Sequence, residues 1–201
     1  TASFVAANTL TEASNAIILQ YTSTFWIFGL SPWLLREKPQ SRDAQLLAVA
    51  MVGIVVIFVG NASTDLIGLF FGLSAGLFYA LLTLMIRRLR DSNSAAITVF
   101  NNLGSALLLL PVAWTVGGLW VSPRALVLLA ILGVVQFGVP YYLYALALAR
   151  VPAYQAALLT MIEPVLVPVW AFLAVREGIP LPTAIGGGLI LLSLVAFLRR
   201  S

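Results

Sequence analysis

The chain has 201 residues, of which 61% are apolar and 9% charged, with a net charge of +4 and a mean hydropathy of +1.03. A soluble domain carries about 25% charged residues, so this surface could not be wetted, and lipid is the solvent that the composition fits. Histidine and cysteine are both absent, which excludes a disulfide framework and thiolate chemistry and removes the commonest general base and metal ligand.

Apolar runs of about 17 to 25 residues, each long enough to cross a hydrocarbon core, follow one another along the whole chain. They are unbroken and rich in Leu and Ala, without the dyad alternation of an outer-membrane barrel. The pattern predicts the tail of a helix over 1–10 and then seven full spans: 13–35, 44–60, 66–86, 94–118, 124–149, 153–175 and 182–198. The connections are short and polar, among them Arg36-Glu37-Lys38-Pro39, Arg87-Arg88-Leu89-Arg90-Asp91, Arg150-Val151-Pro152 and Arg176-Glu177-Gly178. The fold class is therefore an all-α polytopic membrane protein.

Lys and Arg fall unevenly on the two sides. Arg36, Lys38, Arg42, Arg87, Arg88, Arg90, Arg150, Arg199 and Arg200 lie on one, and only Arg124 and Arg176 on the other. Short loops with excess positive charge stay in the cytoplasm, which predicts a cytoplasmic C-terminus in an inner membrane. These cations read as topology signals and not as a nucleic-acid surface.

Displacing the chain against itself by 140 residues aligns Ala13 with Ala153, Asn15 with Gln155, Ala16 with Ala156, Leu19 with Leu159 and Arg36-Glu37 with Arg176-Glu177. The dipeptide match is the specific one, because charges are rare here. The second copy lies five helices after the first, an odd number, so the copies are expected to run in opposite directions. This is the inverted-topology repeat common in secondary transporters. The expected division is 1–61 as the C-terminal part of a first repeat and 66–199 as a complete second one, from a parent of five plus five helices whose first helices precede Thr1.

In Tyr144–Leu198 the chain resembles the EamA-type family of the drug/metabolite transporter superfamily. The residues that carry the likeness are Ala149-Arg150-Val151-Pro152-Ala153, Ala156-Ala157-Leu158, Glu163-Pro164-Val165, Arg176-Glu177 and Gly186-Gly187-Gly188-Leu189, with a weaker copy from Ala16 through Arg36-Glu37 to Gly53-Ile54-Val55. The family's first copy often has a proline where Thr24 stands here, so a kink in the first full span is not fixed by the pattern. The resemblance implies a ten-helix bundle around a central cavity, exporting small metabolites such as amino acids by alternating access.

Glu163 is the most informative single residue: a carboxylate near mid-membrane costs about 2.5–3.5 kcal/mol on insertion scales and usually faces water or a partner. Pro164 beside it removes a backbone hydrogen bond and can leave carbonyls for a substrate. Gln136, Asn101, Asn102 and Gln20 are the other polar candidates for substrate binding, although amides also serve as interhelical glue. Tyr79, Tyr142 and Trp26 are candidates for an aromatic cavity wall, against packing or an interfacial belt.

Gly68, Gly72 and Gly76 form a small-residue stripe, expected to pack helices within the protomer, with a homodimer contact as the alternative. Gly186-Gly187-Gly188 lacks the strand and the Lys-Ser/Thr of a phosphate loop. No cofactor, metal or nucleic acid is expected; the expected partners are a small molecule and the bilayer. The competing readings are a non-transporting membrane subunit and an intramembrane enzyme, the latter thinly supported by a lone carboxylate.

Overall fold

The computed structural model describes residues 13–58, 66–116, 122–176, 178 and 180–199. The predicted partial helix 1–10, the connections 59–65 and 117–121, Glu177 and Arg200 lie outside the described residues, as do the side chain of Asn15 and the surroundings of Gly68. All regular structure among the described residues is helical. The helices are α1 (Ala13–Leu34), α2 (Ser41–Phe58), α3 (Leu66–Arg88), α4 (Ser94–Val116), α5 (Pro123–Ile131), a π-helical stretch Leu132–Gly138, α6 (Val139–Arg150), α7 (Ala153–Thr160), α8 (Glu163–Val175) and α9 (Leu181–Leu198). By length and composition, five stretches can cross a membrane: Phe70–Arg88, Ser94–Thr115, Pro123–Arg150, Ala153–Ala174 and Leu181–Leu198.

Local chemistry sets the helix starts. Asp43 Oδ2 accepts from the Gln40 backbone N–H at 2.9 Å to open α2, and Asn93 Oδ1 accepts from Ala95 at 2.9 Å to open α4. Ser122 caps α5 by accepting from Ala125 at 3.2 Å, with Pro123 in the first turn, where its missing N–H costs nothing. The start of α7 is capped from a distance: Glu37 Oε2, after the end of α1, accepts from the Ala153 N–H at 2.8 Å.

Two predicted single spans are interrupted, each next to a proline. The span 124–149 holds the π-helical stretch, closed by the Val139 N–H donating to Val134 O. Pro140 has no N–H for the Gln136 carbonyl, and its ring crowds that oxygen. The span 153–175 divides at Met161-Ile162 into α7 and α8. Pro164 can give no hydrogen bond to Thr160, so the chain turns there and restarts with Glu163 in the first turn of α8. The corresponding span 13–35 carries Thr24 in place of that proline, and α1 runs unbroken.

The described residues form two compact units, one from the residues up to Leu84 together with those from Pro152 onward, the other from Met85 to Val151. In the first unit, α2 packs on α9 and α1 on α7. The 140-residue repeat is visible in the elements themselves. The helix starts Ser41 and Leu181 are separated by it.

The two copies run antiparallel. On α2 and α9, Ser193 Oγ donates to Leu46 O at 2.7 Å, while farther along α2 Gly53 lies against Gly186, earlier on α9. The 140-residue exchange turns one of these contacts into the other, because Leu46 corresponds to Gly186 and Gly53 to Ser193. Ala50 and Ile190, also equivalent and both fully buried, fall at the centre of this pseudo-two-fold. On α1 and α7 the same antiparallel order places Phe28 edge-on to Tyr154 at 5.6 Å and Glu37 at Ala153.

Glycines set the closest approaches. A Cβ on Gly53 would sit 2.6 Å from Gly186 O, and one on Gly186 would sit closer still to Gly53 O, so the two backbones touch. Gly72 and Gly76 of the predicted stripe pack on α1, where a Cβ on Gly76 would lie 2.6 Å from Leu19 O. Of the Gly186-Gly187-Gly188 run, only Gly186 is so confined; Gly188 faces open space.

In the second unit, α4 packs on α6 and the π-helical stretch. Arg87, assigned to a connection by the sequence pattern, is inside the last turn of α3 and buried, with its guanidinium donating to Leu148 O at 2.7 Å near the end of α6. A cation there satisfies a carbonyl that the helix leaves open. No residue of α5 is buried, and Leu126, Leu128 and Leu129 stand outward, as a lipid-facing helix requires.

Candidate substrate-binding site

The break between α7 and α8 is the feature that organises polar groups in the first unit. Across it the hydrogen bonds tighten to three-residue steps, Met161 N–H to Leu158 O at 3.1 Å and Ile162 N–H to Leu159 O at 3.2 Å. The ladder resumes at Leu166 N–H to Ile162 O at 3.1 Å. Glu163 thereby stands on the first turn of a new helix, where a carboxylate meets the positive end of the backbone dipoles. Met161 and Pro164 are buried, while Ile162 and Glu163 between them are exposed.

The Tyr21 hydroxyl of α1 lies within hydrogen-bonding reach of the Glu163 carboxylate. The sequence pattern did not single out Tyr21. The repeat carried the signal: Glu163 corresponds to Ser23, and in an antiparallel pair near its pseudo-two-fold a residue meets the neighbours of its own equivalent. Gln20, predicted as a site residue, is half-buried beside Tyr21, and its backbone carbonyl lies against Gly76 of α3. Tyr79, also half-buried, is one turn beyond Gly76 on α3. Gln20, Tyr79 and Glu163 therefore belong to one unit, with Gln20 next to Tyr21.

Trp26, also on α1, is exposed, and its ring meets Phe25 edge-on at 6.3 Å.

The remaining predicted residues lie in the second unit. Asn102 and Tyr142 line one cavity of about 520 Å³ with Thr98, Leu103 and Gly138. Thr98 Oγ1 is turned to its own helix, donating to Ser94 O at 2.9 Å, so Asn102 and Tyr142 supply the free polar edges of that cavity. Asn101 is half-buried on the adjoining position of α4, and Gln136 is exposed on the π-helical stretch. Such stretches widen a helix and turn carbonyls away from the ladder. Among the described residues no group of His, Cys, Asp and Glu could hold a metal ion. The carboxyl, amides and phenols are suited to hydrogen-bonding and charge-pairing with a small polar molecule.

Comparison with known proteins places this arrangement. The model of the EamA-like transporter family matches residues 66–199. An uncharacterized transporter of Archaeoglobus fulgidus is 29% identical over 193 residues, which cover 94% of this chain and 68% of that protein. An uncharacterized transporter of Clostridium kluyveri is 27% identical over 192 residues, 90% of this chain and 61% of that protein. The uncharacterized transporter YwfM of Bacillus subtilis is 27% identical over 176 residues, 84% of this chain and 59% of that protein. The chain thus spans about three fifths to two thirds of these relatives. One crystal structure shares the fold with a TM-score of 0.82 at 19% identity, over 98% of this chain and 72% of that one. With the apolar helices, the antiparallel repeat and the family match together, the chain belongs to the EamA-like transporter family and is a multi-pass membrane protein.

Proposed function

We propose that this protein is an inner-membrane secondary transporter that exports small metabolites such as amino acids, with its C-terminus in the cytoplasm. Its inverted halves, the first ending near residue 61 and the second over 66–199, exchange conformations so that a site between them opens to one side and then the other. Glu163 binds the substrate amine or the coupling proton, Tyr21 holds that carboxylate, and Gln20, Tyr79, Asn101, Asn102, Gln136 and Tyr142 contribute polar contacts. Trp26 serves as wall rather than as a polar partner.

The observation that carries this reading is the helix break that leaves an exposed Glu163 on an apolar span. A carboxylate facing lipid at mid-membrane would cost about 2.5–3.5 kcal/mol, so its exposed side belongs against water or a ligand. The test is flux in proteoliposomes containing the full-length protein. Glu163→Gln is expected to lower it strongly while insertion and thermal stability are kept. Unchanged flux would remove Glu163 from the mechanism.

A further inference from the structure

A second cavity, of about 750 Å³, lies between α1 and α2. Its walls are Phe25, Phe28, Gly29, Leu47, Ala48 and Met51, and its mouth is Pro39-Gln40-Ser41 at the start of α2. From Ser41 to Met51 a helix rises about 15 Å, half of a hydrocarbon core of about 30 Å. On the topology expected from the distribution of Lys and Arg, with 36–42 at the cytoplasmic face, the groove is about one leaflet deep and its Pro39–Ser41 end lies at the headgroups.

Cations adjoin this end along the chain: Arg36, Lys38 and Arg42 flank Pro39-Gln40-Ser41 in sequence and are all exposed. The two carboxylates in the same stretch are both engaged by backbone donors: Glu37 accepts from Ala153 N–H, and Asp43, buried in the first turn of α2, accepts from Gln40 N–H.

We propose that this groove binds one anionic phospholipid, its phosphate held by Arg36, Lys38 and Arg42 and an acyl chain lying along Phe25, Leu47 and Met51. Basic clusters beside membrane helices recognise such headgroups, and the depth of the groove selects a chain of the same leaflet. The site is separate from Glu163 and stands whether or not Glu163 binds a substrate.

The experiment is native mass spectrometry of the full-length protein with added phosphatidylglycerol or phosphatidylcholine of identical chains. One phosphatidylglycerol should be retained in preference to phosphatidylcholine. Replacing Arg36, Lys38 and Arg42 together by Gln should lower that preference about a hundredfold. Gly29→Phe is the second variant, because a Cβ at Gly29 meets nothing within 4 Å, so the ring can enter the groove without disturbing the helix. It should abolish retention of both lipids at an unchanged Tm. Equal retention of the two lipids, a preference that survives the triple substitution, or full retention in Gly29→Phe would each overturn the proposal. So would a fall in Tm of Gly29→Phe with no lipid retained by the parent, which would mean that another protein segment fills the groove.

Discussion

Arg36 and Arg176, 140 residues apart, hold the same left-handed backbone, with φ of 58° at both, and no other non-glycine described residue has a positive φ. Each follows the end of a long helix, and each precedes a glutamate in the sequence. The arginine of the dipeptide that marks the repeat in sequence thus takes the same left-handed conformation in both copies, just after α1 and α8 stop. A left-handed position costs an L-residue about 1–2 kcal/mol, and glycine avoids that strain at some cost in chain entropy. Arg36→Gly is therefore expected to hold or raise stability by up to about 1 kcal/mol, and Arg36→Val to lose about 1–2 kcal/mol. Thermal melting of the detergent-solubilised protein separates the two, and equal losses would contradict the strain argument.

The Gly53–Gly186 contact admits no methyl group. Overpacking costs about 1–3 kcal/mol where neighbours cannot yield, and here the neighbour is backbone on both sides. Gly53→Ala and Gly186→Ala should each lower the melting temperature by that order. Gly104→Ala, with open space about its Cβ, should leave it unchanged or raise it slightly through helix propensity. A Gly186→Ala protein as stable as the parent would mean that α2 and α9 stand farther apart.

Much of this architecture was legible in the sequence, for physical reasons that differ by element. Apolar runs fix the helices because lipid leaves a spanning backbone few other choices. The repeat was readable through Arg36-Glu37 and Arg176-Glu177 because charges are scarce, and Glu163 was conspicuous for the same reason. The break at Met161-Ile162 was not legible as a break. Pro32 and Pro111 sit inside continuous helices, so a proline alone does not say whether a helix bends, widens or divides. Arg87 was misplaced because a cation near a helix end resembles a loop residue until the carbonyl of Leu148 is seen beside it. Tyr21 was missed because a lone tyrosine in an apolar span carries no pattern; only the antiparallel register gives it Glu163 as partner.

Ser31 gives a third test. Its side chain is fully buried in α1, and its hydroxyl finds no hydrogen-bond partner. An unmet buried hydroxyl costs about 1–3 kcal/mol. Ser31→Ala is expected to leave the melting temperature unchanged or to raise it, against the usual direction for a buried substitution. A clear fall would show that the hydroxyl has a role that the helix packing does not reveal.

The long-range cap on α7 should be worth about 1 kcal/mol, in the range of other N-terminal caps. Glu37→Ala removes the acceptor of the Ala153 N–H and should lower thermal stability by that amount. Hydrogen exchange localises the effect: the first turn of α7 should lose protection while α4 keeps its own. Protection unchanged at Ala153 would show that another group caps the helix.

The pairing of Tyr21 with Glu163 can be tested apart from either residue's own contribution. If the phenol acts by holding the carboxylate, its effect must vanish once the carboxylate is gone. Hydrogen bonds to charged groups contribute about 1.5–3 kcal/mol, so Tyr21→Phe alone should reduce flux or substrate affinity on the order of tenfold or more. Glu163→Gln should do more, and the double variant should be no worse than Glu163→Gln. Measuring all four proteins in the same proteoliposome assay, with folding checked by melting temperature, closes the cycle. Losses that multiply would mean that Tyr21 and Glu163 serve transport independently. The hydrogen bond between α1 and α8 would then be one of packing alone.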